Sequence, residues 1–337
     1  MSELKPAAWG GMRAPAIMLL TIALFCSSAS GECYVCTFLD GLAKETITSI
    51  FSSDSISEAG RANSSGQPNQ DGNPAVTEDS EDMVAPSIDM LVKPSNIAGN
   101  AIILDGSDYP GSFIPGAVHI SYREFVDINN TACLKNISDI ARILGDAGIS
   151  RTDPLVVYGE CQPCGGGPST ATYVYWLLRY MGHEDIRMLN GGIDAWMEAG
   201  LPVENSSATR PKSTYSPAFR EDLYANYDYV KSGKAQIVDA RSAEEFEHGT
   251  IPGSINIPYD EVLDGKIIRA ESELEGIFSN LTKNKPVVVF TTTGTKASVI
   301  WFSLDMLGYD AKMYTYRDWQ RAERDERRQL EEMNRSK

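Results

Sequence analysis

Cys161 and Cys164 stand three residues apart in a 337-residue chain, at the point where residue type and spacing speak most directly of chemistry. The apolar run Leu155-Val156-Val157-Tyr158 leads into them. Gly165, Gly166 and Gly167 follow, then Pro168, Ser169 and Thr170. A β-type run ending in thiols, then glycines, then a Ser-Thr pair able to cap a helix sets sulfur at a helix N-terminus. Backbone N–H groups and the helix dipole there favour thiolate over thiol. Glycines can take positive φ and turn their N–H groups inward, and successive inward N–H groups form an anion-binding nest. Gly165, Gly166, Gly167, Ser169 and Thr170 are therefore the expected substrate- or anion-binding loop. The chemistry this favours is cysteine-based sulfur or redox chemistry.

Such a loop needs a strand before it and a helix after it. From Val84 onward the pattern alternates between the two. Residues 101–105, 116–120, 155–158 and 186–189 read as short buried strands. Residues 138–147, with Ser138 as N-cap, 170–181 and 192–199 read as helices. Buried runs alternating with helices predict an α/β fold with a mainly parallel sheet covered on both faces.

The remainder of the chain sets the context. The net charge is −16 and no basic stripe is present, which argues against a nucleic-acid partner. Lys5 and Arg13 precede an apolar run from Ala14 to Cys26 and small residues from Ser27 to Gly31. That run is short for a membrane span and fits a secretory leader, so 1–31 is expected to be a signal peptide or an N-terminal anchor and the protein to be extracytoplasmic. Membrane contact is expected only through this segment, if it is uncleaved or lipidated at Cys26. Residues 32–83 hold a short segment and a polar, acidic linker too poor in large apolar groups to order itself. There are six cysteines, and export permits disulfides in the Cys33/Cys36 and Cys161/Cys164 pairs. Removing Cys26 leaves an odd number, so at least one free thiol is expected. Asn63, Asn129, Asn136, Asn205, Asn280 and Asn334 head sequons compatible with glycosylation. No metal is expected, because the two cysteine pairs lie in unrelated contexts and no histidine is suitably spaced.

The pattern then repeats. Ile237-Val238-Asp239 answers Ile103-Leu104-Asp105, and Ile251-Pro252-Gly253 answers Ile114-Pro115-Gly116. Pro286 to Phe290 answers Pro154 to Tyr158, Leu307-Gly308 answers Met181-Gly182, and Trp319 answers Trp196. A repeat of this length means two copies of one domain, with the boundary near 205–215.

These motifs resemble tandem-domain rhodaneses, the thiosulfate and 3-mercaptopyruvate sulfurtransferases. The residues carrying the resemblance are Asp239-Ala240-Arg241 with Glu245-Phe246, His248-Gly249-Thr250-Ile251-Pro252-Gly253, Phe113-Ile114-Pro115-Gly116-Ala117-Val118-His119, and Leu189-Asn190-Gly191-Gly192 with Trp196. The resemblance implies two rhodanese-like domains, 84–208 and 212–328, each a mainly parallel sheet flanked by helices, before a charged tail at 329–337. It implies a catalytic cysteine opening a six-residue loop between strand and helix. Counted back from the helix start, that residue is Cys164, the expected nucleophile and persulfide carrier. Cys161 is the alternative nucleophile or resolving thiol. The implied partners are a small sulfur donor and a thiol acceptor, and no cofactor is needed because the cysteine carries the sulfur.

The chain departs from the family pattern in two places. Thr291 stands where the second copy would carry its cysteine, so that loop is expected to be inert. The first loop lacks the basic residue that would hold an anionic donor. Two other readings therefore stay open: an inactive binding or structural protein, and a dithiol–disulfide oxidoreductase using Cys161 and Cys164. Asp105, Asp239, Arg241 and the three histidines are expected to be structural, and Trp176, Trp196, Trp301 and Trp319 to serve packing.

Overall fold

The computed structural model describes residues 90–127, 133–162 and 166–336. The expected leader and linker, Cys33, Cys36, Cys164 and Gly165 lie outside the described residues.

The first half contains β1 (Leu91–Val92), β2 (Ile102–Asp105), β3 (Val118–His119), α1 (Ile137–Asp146), β4 (Leu155–Tyr158), α2 (Ser169–Tyr180), β5 (Ile186–Leu189) and α3 (Gly192–Glu198). Its strands form one parallel sheet in the order β1-β5-β4-β2-β3. All four residues of central β4 are buried, which is why its sequence is an uninterrupted apolar run. The helix expected from Ser138 begins one residue earlier. Asn136 is the cap, its side-chain oxygen accepting the Asp139 N–H at 2.8 Å, while the Ser138 hydroxyl donates to Asn136.

The second half contains α4 (Tyr227–Lys231), β6 (Gln236–Asp239), α5 (Ala243–Glu247), β7 (Ser254–Asn256), β8 (Leu263–Asp264), β9 (Ile267–Ile268), α6 (Glu271–Ile277), β10 (Val287–Thr291), α7 (Ala297–Met306), β11 (Ala311–Thr315) and α8 (Tyr316–Arg335). Its parallel sheet runs β11-β10-β6-β7, repeating the β5-β4-β2-β3 order of the first half. Asp105 and Asp239 end equivalent strands. β8 and β9 form a separate antiparallel hairpin whose two-residue turn is Gly265-Lys266, with Gly265 at φ 61°.

The halves meet through α2 and α7, which explains why both helices are apolar nearly all round. Tyr175 packs edge-on against Phe302 with ring centroids 4.9 Å apart. Thr172 and Ser298 share a hydrogen bond of 2.7 Å between buried hydroxyls. The segment joining the halves is stitched to the first: the N–H groups of Ala208 and Ser213 donate to the carbonyls of Ala117 and Gly145. Trp176, Trp301 and Trp319 are buried in packing. Among the described residues no helix is long and apolar enough to cross a membrane.

Candidate active site

β4 delivers the chain to the carboxyl edge of the first sheet, where open α/β sheets place their ligands. Gly159 follows at once. A Cβ there would lie 2.8 Å from the Thr170 hydroxyl and 3.0 Å from the Ser107 nitrogen, so only glycine fits. Asp105 anchors the next residue at one remove. Its carboxylate accepts the Ser107 hydroxyl at 2.6 Å, and that hydroxyl accepts the Glu160 N–H at 3.0 Å. Its other oxygen faces His119 Nδ1 at 3.1 Å, and this hydrogen bond raises the imidazole pKa above its usual value. The histidine is thus a structural partner of the strand end.

Cys161 is 2% exposed and disulfide-bonded. The other described cysteine, Cys133, is not part of that bond; it is buried and its sulfur accepts from the Arg321 guanidinium at 3.9 Å. The Cys161 carbonyl accepts the Gly166 N–H at 2.9 Å, and its N–H donates to the Gly167 carbonyl at 3.4 Å. These two bonds close the turn at its base. They require left-handed backbone at Gly166 (φ 90°) and Gly167 (φ 86°). The sequence expectation that the Gly166 N–H is available to an anion is therefore corrected: it is spent on Cys161.

Ser169 and Thr170 do not cap α2 as expected. They are its first two residues; Pro168 occupies the cap and offers no side-chain bond. The Ser169 and Thr170 hydroxyls are buried without a hydrogen-bond partner among the described residues. They lie in the first turn of α2, at the positive end of its dipole.

The cation absent from the first loop comes from the second half. Lys266, at the tip of the β8–β9 hairpin, lies across Gly166, and a Cβ on that glycine would meet the Lys266 Cε at 2.8 Å. Its ammonium reaches Asp194 at 2.6 Å and Glu160 at 3.0 Å, and both carboxylates raise the lysine pKa. The hairpin is held in register by Asn190, which accepts the Ile268 N–H and donates to the Ile268 carbonyl. Lys266, Glu160, Asp194 and Ser107 were not recognised from sequence. Gly265-Lys266 signals a turn, but nothing local says where that turn docks. A cavity of about 190 Å³ adjoins the loop, lined in part by Ser107, Tyr109, Tyr158, Glu160, Gln162 and Met197.

The matching loop of the second half is built differently. Thr291 ends β10, buried, and its hydroxyl accepts the Gly294 N–H at 3.1 Å. Asp239 is paired with Arg241 through bonds of 2.9 and 2.5 Å and also accepts the Thr250 hydroxyl. Arg241 stacks on the Tyr316 ring at 4.1 Å. Among the described residues no cluster of His, Cys, Asp and Glu could hold a metal ion.

The rhodanese-like domain model matches this chain twice, over residues 95–199 and 223–319. The chain is 31% identical over 231 residues to the sulfur carrier protein TtuD of Thermus thermophilus, covering 60% of this chain and 79% of that relative. It is 29% identical over 227 residues to a thiosulfate sulfurtransferase of Corynebacterium glutamicum, covering 60% and 74%. Its fold is similar to that of the Escherichia coli 3-mercaptopyruvate sulfurtransferase SseA, with a TM-score of 0.61 and 25% identity, covering 67% of this chain and 97% of that one. Two sheets of one strand order, joined through equivalent helices and matched by one domain model over both halves, establish that the chain belongs to the rhodanese-like domain family.

Proposed function

We propose that the protein is a sulfurtransferase whose working thiol lies in the first-half loop. The observation that carries this reading is the contrast between the loops: the first presents Cys161 and Cys164 between a buried strand and a buried helix N-terminus, and the second presents Thr291. A hydroxyl cannot stand in for a thiolate as a sulfur carrier. The relatives named as a sulfur carrier and a thiosulfate sulfurtransferase, and the fold shared with a 3-mercaptopyruvate sulfurtransferase, support the same activity.

On this reading Cys164 attacks the sulfane sulfur of a donor such as thiosulfate or 3-mercaptopyruvate. The donor's remainder leaves with the bonding electron pair, and the cysteine becomes a persulfide. An acceptor thiolate then takes the outer sulfur and the cysteine thiolate returns. The α2 N-terminus and the Ser169 and Thr170 hydroxyls stabilise the negative charge at each stage. Lys266 offsets the Glu160 carboxylate, which would otherwise oppose a thiolate beside it.

A second reading rests on the disulfide at Cys161: a Cys-x-x-Cys pair suits dithiol–disulfide exchange. The test separates the two. The reduced full-length protein is incubated with thiosulfate or 3-mercaptopyruvate and weighed intact, beside Cys164→Ser and Cys161→Ser. Gain of one sulfur that disappears only in Cys164→Ser is the expected result. No gain on the parent with either donor removes the sulfurtransferase reading, and disulfide exchange needing both cysteines replaces it. The composition of residues 1–31 supports action outside the cytoplasm, which a signal-cleavage assay on the expressed precursor checks.

A further inference from the structure

The sulfur-transfer steps above make no use of the cavity lined by Tyr109, Pro110, Tyr158, Glu160, Ile193 and Met197. Its volume of about 190 Å³ lies below the ~300–1,000 Å³ of a drug-sized ligand site, so its occupant is a small molecule. Three elements build the walls. Ile193 and Met197 stand one helical turn apart on α3, Tyr109 and Pro110 come from the loop after β2, and Tyr158 and Glu160 come from the end of β4. The loop wall is pinned in place: the N–H groups of Phe113 and Glu204 each donate to the other's carbonyl, at 2.9 and 2.8 Å. Tyr109 and Met197 are 67% and 45% exposed, so a ligand here would take apolar surface out of water without first ordering the walls.

The charge of this lining is one-sided. Glu160 brings a carboxylate, and among the described residues no Lys, Arg or His lines the cavity. Lys266 lines a separate, smaller cleft that shares Glu160 and includes Gly167 and Gly191. There its single ammonium meets two carboxylates, Glu160 and Asp194, so the three groups together keep one net negative charge. Each Glu160 oxygen accepts one hydrogen bond, from Lys266 at 3.0 Å and from Gln162 at 3.1 Å, and a carboxylate oxygen has room for a second. The rings of Tyr109 and Tyr158 add faces that attract a cation.

We propose that this cavity is the acceptor subsite and that it selects a small thiol carrying an ammonium group over neutral and anionic thiols. This rests on the sulfurtransferase reading above. The ammonium takes a free lone pair of Glu160, and the short carbon chain lies along Ile193 and Met197. The acceptor thiolate attacks the outer sulfur of the loop persulfide. A bond forms between those two sulfurs, and the bond from the cysteine to the outer sulfur breaks. Its electron pair returns to the cysteine as thiolate, and the acceptor leaves as a persulfide. An acceptor bearing a carboxylate instead meets the net negative charge that Glu160 and Asp194 keep after pairing with Lys266.

Two measurements test this, and the first needs no turnover. Saturation-transfer NMR on the reduced full-length protein compares n-butylammonium, n-butanol and butyrate at neutral pH. The parent is expected to bind n-butylammonium and not butyrate. Met197→Lys sets an ammonium at a 45% exposed position on the cavity wall and is expected to reverse that order. Ser112→Lys, on the loop wall, serves in its place if Met197→Lys does not melt like the parent. Equal signals from the three probes, or an order that the added lysine leaves unchanged, overturn the subsite. The second measurement loads the protein with thiosulfate or 3-mercaptopyruvate, desalts it and follows discharge to cysteamine, 2-mercaptoethanol and mercaptoacetate. Each rate is divided by the thiolate concentration and by that thiol's rate with a free persulfide. Cysteamine is expected to show a KM about tenfold below the other two, the worth of one hydrogen bond to a charged group. The added lysine should abolish that advantage. A KM for mercaptoacetate equal to or below that of cysteamine overturns the selection. Failure to load with either donor overturns the sulfurtransferase reading, and the acceptor role with it, while the n-butylammonium result still decides whether the cavity holds an ammonium.

Discussion

The ammonium of Lys266 lies 3.0 Å from the carboxylate of Glu160, tying the tip of a hairpin in the second half to the residue immediately before Cys161 in the first. One side chain thus does what neither loop does alone. It supplies positive charge over a cysteine loop that has none of its own, and it holds the halves in one arrangement at that loop.

Removing that charge should be read in the thiols before it is read in stability. Lys266→Ala leaves the Glu160 carboxylate unopposed, so alkylation of the reduced loop at neutral pH should slow several-fold, with the difference shrinking at alkaline pH. Lys266→Arg should retain most of the rate. The melting temperature should barely move, because the lysine is 41% exposed and such pairs contribute about 0–1 kcal/mol. Equal alkylation profiles for parent and Lys266→Ala would show that the lysine has no electrostatic role.

Gly166 and Gly167 should respond differently to alanine. Both have positive φ, which costs a non-glycine residue about 1–2 kcal/mol. At Gly166 the new methyl also meets the Lys266 stem at 2.8 Å, whereas at Gly167 nothing lies within 4 Å. Gly166→Ala should therefore lower stability more in denaturant titration. Introducing Lys266→Ala alongside should bring the two variants level.

Thr291→Ala is expected to leave sulfur loading unchanged. It removes a buried hydroxyl that accepts the Gly294 N–H, so it should cost about 1–2 kcal/mol of stability. Loss of sulfur loading in a well-folded Thr291→Ala protein would place chemistry in the second loop.

Arg241→Ala should destabilise strongly, by about 3–5 kcal/mol, because it strands the fully buried Asp239 carboxylate without its partner. Arg241→Lys should recover only part of this, since lysine cannot reproduce the two-pronged contact or the stacking on Tyr316. Chemical denaturation of the three proteins measures both.

The partly buried His119 and the buried His183 should give opposite pH dependence. The Asp105 hydrogen bond raises the His119 pKa in the folded state, so its contribution is full below the unfolded value of 6.5 and fades as pH rises through the folded one. Burial lowers the His183 pKa, so protonation favours unfolding and stability falls as pH drops below 6.5. Melting curves between mildly acidic and mildly alkaline pH should show His119→Asn flattening the alkaline loss and His183→Asn flattening the acidic loss.

Much of this fold was legible in the chain because the information was local and repeated. A parallel strand buried on both faces must be apolar throughout, so Leu155–Tyr158 announces itself at its observed bounds, and Ile186–Leu189 does so through Ile186, Met188 and Leu189, with Arg187 only partly buried. The repeat of Asp105 as Asp239, and of Pro154–Tyr158 as Pro286–Phe290, fixed two copies of one sheet order. Caps were less legible: Asn136 and Ser138 are both good cap residues, and the choice fell to whichever side chain met the Asp139 N–H.

By itself the sequence determined the family, the strand–loop–helix frame and the presence of thiols in only one of the two equivalent loops. Tertiary structure decided the surroundings of that loop. Gly166 faces Lys266 across a hundred residues of chain, its N–H is consumed by Cys161, and the Ser169 and Thr170 hydroxyls are buried without a partner among the described residues. Side-chain periodicity reports burial along one element. It carries no record of which distant hairpin tip will settle over a glycine, because that depends on how α2 and α7 pack the halves together.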